Sequence, residues 1–130
     1  MKPDSELIAK WSEEIMEDGF TAIPNFLIDH MVDIGINPIE LSVIIAIERH
    51  RFFGDTAYPS NERIGRITGY SPRHVSRITS DLQKRKLIKK IKRPYTSALY
   101  DFKPLVKALH VYKMQQRSNL KKFDPDILVI

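Results

Sequence analysis

Along residues 69–93, GYSPRHVSRITSDLQKRKLIKKIKR, apolar side chains recur at Val75, Ile78 and Leu82, three and four positions apart. That spacing stacks them on one stripe of an α-helix. With Val75 set at zero and about 100° per residue, Ile78 and Leu82 lie within about 60° of it. Arg73, Arg77, Ser80 and Lys84 fall within about 40° of the opposite pole. His74 and Asp81 line one flank and Ser76 the other. Ser71 is suited to cap this helix and Pro72 to open it, which predicts a helix over residues 72–86.

The same reading predicts the neighbouring elements. Residues 4–18 form an acidic helix with Leu7, Ile8, Trp11 and Ile15 as its apolar stripe, ended by Gly19. Pro24 gives an extended approach to a helix from Asn25. Asn37 and Pro38 open a helix apolar nearly all round, at Leu41, Val43, Ile44, Ile45, Ala46 and Ile47, as expected of a central buried one. Ser60 caps a short helix, NERIGRIT, closed by Gly69, whose Ile64 and Ile67 should meet the Val75 stripe. Residues 87–92 read as a strand, 93–97 as a turn and 98–103 as a returning strand. The turn has no Gly, so a loop longer than two residues is expected. Pro104 opens a last helix with Leu105, Leu109 and Tyr112 on one stripe, and the chain finishes on four apolar residues, Ile127 to Ile130.

The order is a long apolar helix, a short helix, a Gly turn, a second helix and a basic hairpin. It predicts a mainly α chain with a small β-hairpin, a winged helix-turn-helix with extra N-terminal and C-terminal helices. Three parts are expected: residues 1–19 as the acidic helix, 20–103 as the winged domain, and 104–130 as the C-terminal helix and apolar tail.

Charge sharpens this picture. The net charge of +5 at pH 7 is spread very unevenly. Residues 1–60 carry four Lys/Arg and eleven Asp/Glu, whereas residues 61–93 carry eleven Lys/Arg and two acids. A basic footprint of that kind suits a polyanion. In a major groove Arg takes the guanine O6/N7 edge bidentately, while Ser reads bases less selectively. Arg73, His74, Ser76, Arg77 and Ser80 are therefore the candidate base readers. Candidate backbone contacts are Ser71 at the helix N-terminus, Lys84, and the hairpin's Lys89, Lys90, Lys92, Arg93, Tyr95 and Thr96. Asp81 has two roles open to it, accepting from cytosine or pairing with Arg77 or Arg85, and the ion pair is preferred.

Other chemistries find little support. The four histidines, His30, His50, His74 and His110, lack metal-ligand spacing, and there is no cysteine. Neither a G-x-x-x-x-G-K-[ST] nor a G-x-G-x-x-G phosphate loop occurs. Glu13, Glu14 and Glu17 cluster on a helix that reads as a solvated face. A non-enzymatic protein without cofactor or metal is expected. No apolar run approaches a membrane span and the N-terminus lacks a signal-like core, so a cytoplasmic location is expected.

Three stretches, FTAIPNFLID, YPSNERIGRITGYSPRHVSRITSDL and KRKLIKK, resemble the N-terminal DNA-binding domains of phage and plasmid replication initiators. The lambdoid replication protein O type and DnaD-like winged helices belong to that group. Ile23-Pro24-Asn25, Pro59-Ser60 and Gly69-x-Ser71 carry most of the resemblance, which runs from about Gly19 to Leu105. It implies that the second helix reads origin repeats and the wing contacts the flanking backbone. Many relatives have Gly where this chain has Lys86; here either the helix ends without a left-handed cap or Lys86 adopts that conformation. Initiators also carry a further domain, whereas only some 25 residues follow Leu105 here.

Origin recognition by double-stranded DNA binding is thus the expected function. A small winged-helix transcriptional regulator and a protein-interaction adaptor share the same plan. Expected partners are double-stranded DNA, a second copy through the C-terminal helix, and a replication or regulatory protein. The phasing itself is testable. Val75→Asp places an unpaired charge in the predicted core and should cost on the order of 3–5 kcal/mol. Urea denaturation followed by far-UV circular dichroism reads that loss; unchanged stability would mean the wheel is misphased.

Overall fold

The computed structural model describes residues 4–51 and 56–121. The apolar tail, Ile127 to Ile130, lies outside the described residues. The chain begins with α1 (Ser5–Trp11) and α2 (Glu13–Met16) rather than one helix. Ser12 separates them with φ +83°, its Oγ accepting from Ile15 N as the cap of α2. The expected apolar stripe is not buried: Trp11 is 53% exposed and Ile15 63%, and Met16 is the residue of the pair that is buried.

Next come α3 (Asn25–His30) and α4 (Pro38–Glu48). Asn37 caps α4 through a reciprocal capping box: its Oδ1 accepts from Glu40 N, and Glu40 Oε1 accepts from Asn37 N. Val43, Ile44, Ala46 and Ile47 are buried, while Ile39 and Ile45 stay exposed. The helix is thus covered on most sides but not all. Strand β1 (Thr56–Ala57), which the sequence did not suggest, precedes α5 (Asn61–Thr68) and α6 (Pro72–Lys84).

The α5–α6 turn depends on close backbone approach. A Cβ at Gly65 would sit 2.4 Å from the Tyr70 carbonyl oxygen, so only glycine allows this crossing. Gly69 closes α5 at φ +84°. Beyond the turn Val75, Ile78 and Leu82 are buried together with Ile64, as the helical wheel required, but Ile67 is exposed.

Strands β2 (Lys89–Arg93) and β3 (Thr96–Asp101) pair antiparallel, and β1 pairs with the other edge of β3, giving the order β1-β3-β2. The hairpin link is two residues, Pro94 and Tyr95, because Arg93 pairs with Thr96. The longer loop expected from the lack of glycine is therefore incorrect. Pro94 supplies the fixed φ of the first turn position, and Tyr95 takes φ +63° at the second, in the manner of a type II turn. Helix α7 (Lys103–Lys121) returns across the domain, and its Leu105 and Leu109 pack on the chain's own core. The chain is thus mainly helical with a small three-stranded antiparallel sheet, in place of the expected isolated hairpin. Among the described residues no helix is long and apolar enough to cross a membrane.

Two features of the end of α6 lead to predictions. Lys86 has φ +60°, Lys86 N donates to Gln83 O and Leu87 N to Leu82 O at 2.9 Å, the paired bonds of a Schellman cap. Lys86 therefore does adopt the left-handed conformation that glycine would take more easily. Lys86→Gly should raise stability by about 1 kcal/mol in urea denaturation. Arg85 binds the buried Glu40 carboxylate, the Gly35 carbonyl oxygen and Asp81. Arg85→Ala should cost about 2–3 kcal/mol by leaving Glu40 without its counter-charge, and adding Glu40→Gln should restore part of it.

Candidate nucleic-acid interface

The site is built on α6 because that helix is fastened along one stripe. Three buried side chains, each contributing about 1.5–3 kcal/mol, fix its rotation about its own axis. Arg73, Arg77 and Lys84 are consequently exposed on the outer face, with Ser76 and Ser80 half-buried beside them. The one acid on this helix, Asp81, accepts from Arg85 Nε at 2.9 Å. The preferred ion pair thus forms, and it forms with Arg85 rather than Arg77. Among the described residues, Arg73, Arg77, Lys84 and Lys92 have no ion-pair partner. The outer face is therefore a field of uncompensated cations.

At the start of α6, Ser71 Oγ accepts from His74 N at 3.1 Å. Pro72 has no N–H to offer, so this helix end has less capacity for a phosphate than an open N-terminus. The His74 ring packs edge-on against Tyr70, with centroids 4.8 Å apart. Tyr70 in turn lies against the core, which fixes the imidazole on the flank of α6.

The hairpin stands beside α6 across an open groove of about 480 Å³. Lys92, Arg93, Tyr95 and Thr96 line one side, Ser76 another, and Ser60 and Asn61 at the start of α5 a third. Glu62 also borders it. Arg93 is held rather than free: its Nε donates to Ser97 O at 2.8 Å and its guanidinium lies 5.7 Å from the Tyr58 ring centroid. Tyr95, at the tip, is fully exposed.

Two hairpin lysines depart from expectation. Lys89 faces a different opening, shared with Lys86, Lys103 and Lys107 beneath α7, and so stands apart from Lys92 and Arg93. Lys90 is only 9% exposed and points inward at α6. Its Nζ donates to Thr79 Oγ1 at 2.9 Å and to Ser80 Oγ at 3.3 Å, and lies 3.5 Å from both the carbonyl oxygen and Oγ of Ser76. Burial lowers the Lys90 pKa from its ordinary value, and the charge of Lys92 adds to this. An ammonium so enclosed does not serve as an outward phosphate contact, which corrects that assignment for Lys90. Behind it, buried Tyr100 shares a hydrogen bond with Thr79, and burial raises its phenol pKa.

Sequence reasoning missed Ser60 and Asn61 as neighbours of the hairpin. The Ser60 cap was legible as a helix start, but nothing in a linear pattern shows which strand will lie next to it.

No protein-family model and no curated protein matches the chain. Among solved structures, the chain is similar to the N-terminal domain of the DnaD protein from Geobacillus kaustophilus HTA426, with a TM-score of 0.68. The match covers 93% of this chain and 100% of that one at 16% identity. At that identity the likeness is one of fold alone. A looser overlap with YusO from Bacillus subtilis has a TM-score of 0.46 at 12% identity, over 96% of this chain and 86% of that one, and carries no argument.

Proposed function

We propose that this chain binds double-stranded DNA in a sequence-specific manner, as a winged helix-turn-helix with α6 as recognition helix and the β2–β3 hairpin as wing. The observation that carries this reading is the face of α6: it is seated by Val75, Ile78 and Leu82 and turns Arg73 and Arg77 outward, neither paired with an acid among the described residues. Strand β1, lying between α4 and α5 and paired with β3, supports the winged reading, since it ties the hairpin to the helical body. The groove between wing and helix supplies hydroxyls and cations where a flanking backbone would run.

Origin recognition is the process we infer. The sequence resembles phage and plasmid replication initiators over most of this region, and the fold is similar to the DnaD N-terminal domain. Within that reading Arg73, Arg77 and Ser80 contact base edges, with His74 and Ser76 on the flanks. Lys84, Lys92, Arg93, Tyr95 and Thr96 hold phosphates.

The test is selection of genomic fragments by the purified protein at near-physiological salt. A tandem repeat array beside replication genes is the expected result; single palindromes at promoters would make the protein a regulator, and no enrichment would remove specific binding. On the selected site Arg77→Ala should cost about 1–3 kcal/mol and relax base choice at one position. Lys92→Ala should instead weaken selected and shuffled duplexes alike, and lower the slope of log affinity against log salt by about 0.9. Fluorescence anisotropy titrations on both duplexes across a salt series distinguish the two effects.

A further inference from the structure

We propose that Lys90 is a specificity-determining positioning residue, whose enclosed ammonium biases the Ser80 hydroxyl toward meeting DNA as a hydrogen-bond donor. The inference rests on the DNA-binding reading above and adds a role that acts through Ser80 and not through direct contact with DNA.

The argument follows from hydrogen-bond inventory. An ammonium has three N–H groups and no acceptor, so a hydroxyl oxygen facing it must accept. Lys90 Nζ lies 3.3 Å from Ser80 Oγ, and this occupies one of the hydroxyl's two lone pairs. The hydroxyl hydrogen must then be directed elsewhere. In a helix its usual outlet is the carbonyl four residues back, here that of Ser76. That oxygen already receives the helical Ser80 N–H and Thr79 Oγ1 at 3.1 Å, which accounts for both of its lone pairs. This outlet is filled, so a base acceptor at the outer face competes for the Ser80 O–H only with the Arg77 carbonyl three residues back. Ser76 is under the same influence more weakly, with Lys90 Nζ 3.5 Å from its Oγ.

The consequence is chemical. A free serine reads either a donor or an acceptor edge in the major groove, and so discriminates poorly. A serine biased toward donating favours guanine O6 or N7, adenine N7 or thymine O4, to which its O–H donates, over the amino groups of cytosine and adenine. Lys90 thereby turns an ambivalent reader into a preferential donor. Its neighbours are hydroxyls and a carbonyl instead of a carboxylate, and this leaves the ammonium's full donor capacity on α6.

The experiment is a double-mutant cycle on Lys90→Met and Ser80→Ala. Each protein is first used to select from a random 20-base-pair duplex library, then titrated against the wild-type consensus and a shuffled duplex over a salt series. The expected result is that both single variants relax the same base position and lower the consensus-to-shuffled affinity ratio about tenfold. The double variant should lose no more than either single one, and the salt slope should hold. If Lys90→Met melts below the wild type, Lys90→Gln, which keeps an uncharged donor, replaces it in the cycle. Multiplicative losses in the double variant would overturn the proposal. So would uniform weakening of all duplexes with a salt slope smaller by about 0.9, since that is the signature of a direct phosphate contact. Wild-type protein that binds no duplex would overturn the DNA-binding reading itself, an outcome visible before any variant is compared.

Discussion

The Arg85 guanidinium is the fastening on which the arrangement of the helices depends. It reaches the Glu40 carboxylate at the start of α4, the Gly35 carbonyl oxygen just before it, and Asp81 one turn back on α6. Glu40 is buried and completes the cap of α4 with its other oxygen. One side chain therefore ties the end of α6 to the beginning of α4. Three separate nitrogens of the planar guanidinium serve these three acceptors, a fixed fork that arginine provides and lysine does not. The same guanidinium neutralises Asp81, so the outer face of α6 keeps its cations unopposed. Helix orientation and surface charge are set by one contact.

The hairpin is joined to α6 by a different device. Most apolar sheet–helix junctions are closed by aliphatic side chains; here a lysine enters, with Thr79 and Tyr100 completing a polar seam inside the core. Such a seam is justified energetically only if its groups find partners. Lys90 finds three hydroxyl or carbonyl residues on α6, and Gln83 Oε1 accepts from the Lys90 backbone N–H. The sheet is thus held to the helix at a definite register along its length. Directional bonds specify that register more tightly than apolar contact would.

The acidic end of the chain stands apart from this centre. Helices α1 and α2 carry most of their acids on open surface and leave Ile8, Trp11 and Ile15 exposed. The acids of these helices and the cations of α6 and the hairpin lie in separate stretches of the chain, and a basic face of that kind attracts polyanions from a distance.

Local chemistry determined much of this protein. The caps at Asn37, Ser60 and Ser71 were legible because a side-chain oxygen and an N–H three residues on interact within one turn. The Val75, Ile78, Leu82 stripe was legible because helical periodicity is a property of the chain itself. Those two signals were enough to predict which face of α6 is open and that Arg73 and Arg77 lie on it. Tertiary structure decided the rest. Strand β1 exists through its pairing with β3, not through its own two residues. The break at Ser12, where φ is +83°, is invisible to helical periodicity. Lys90 turns inward because strand register, with its irregularity between Ile91 and Arg93, selects the facing side of each hairpin residue. A run of lysines looks uniform in sequence; only the partner strand and the helix beneath it decide which of them faces water and which is enclosed.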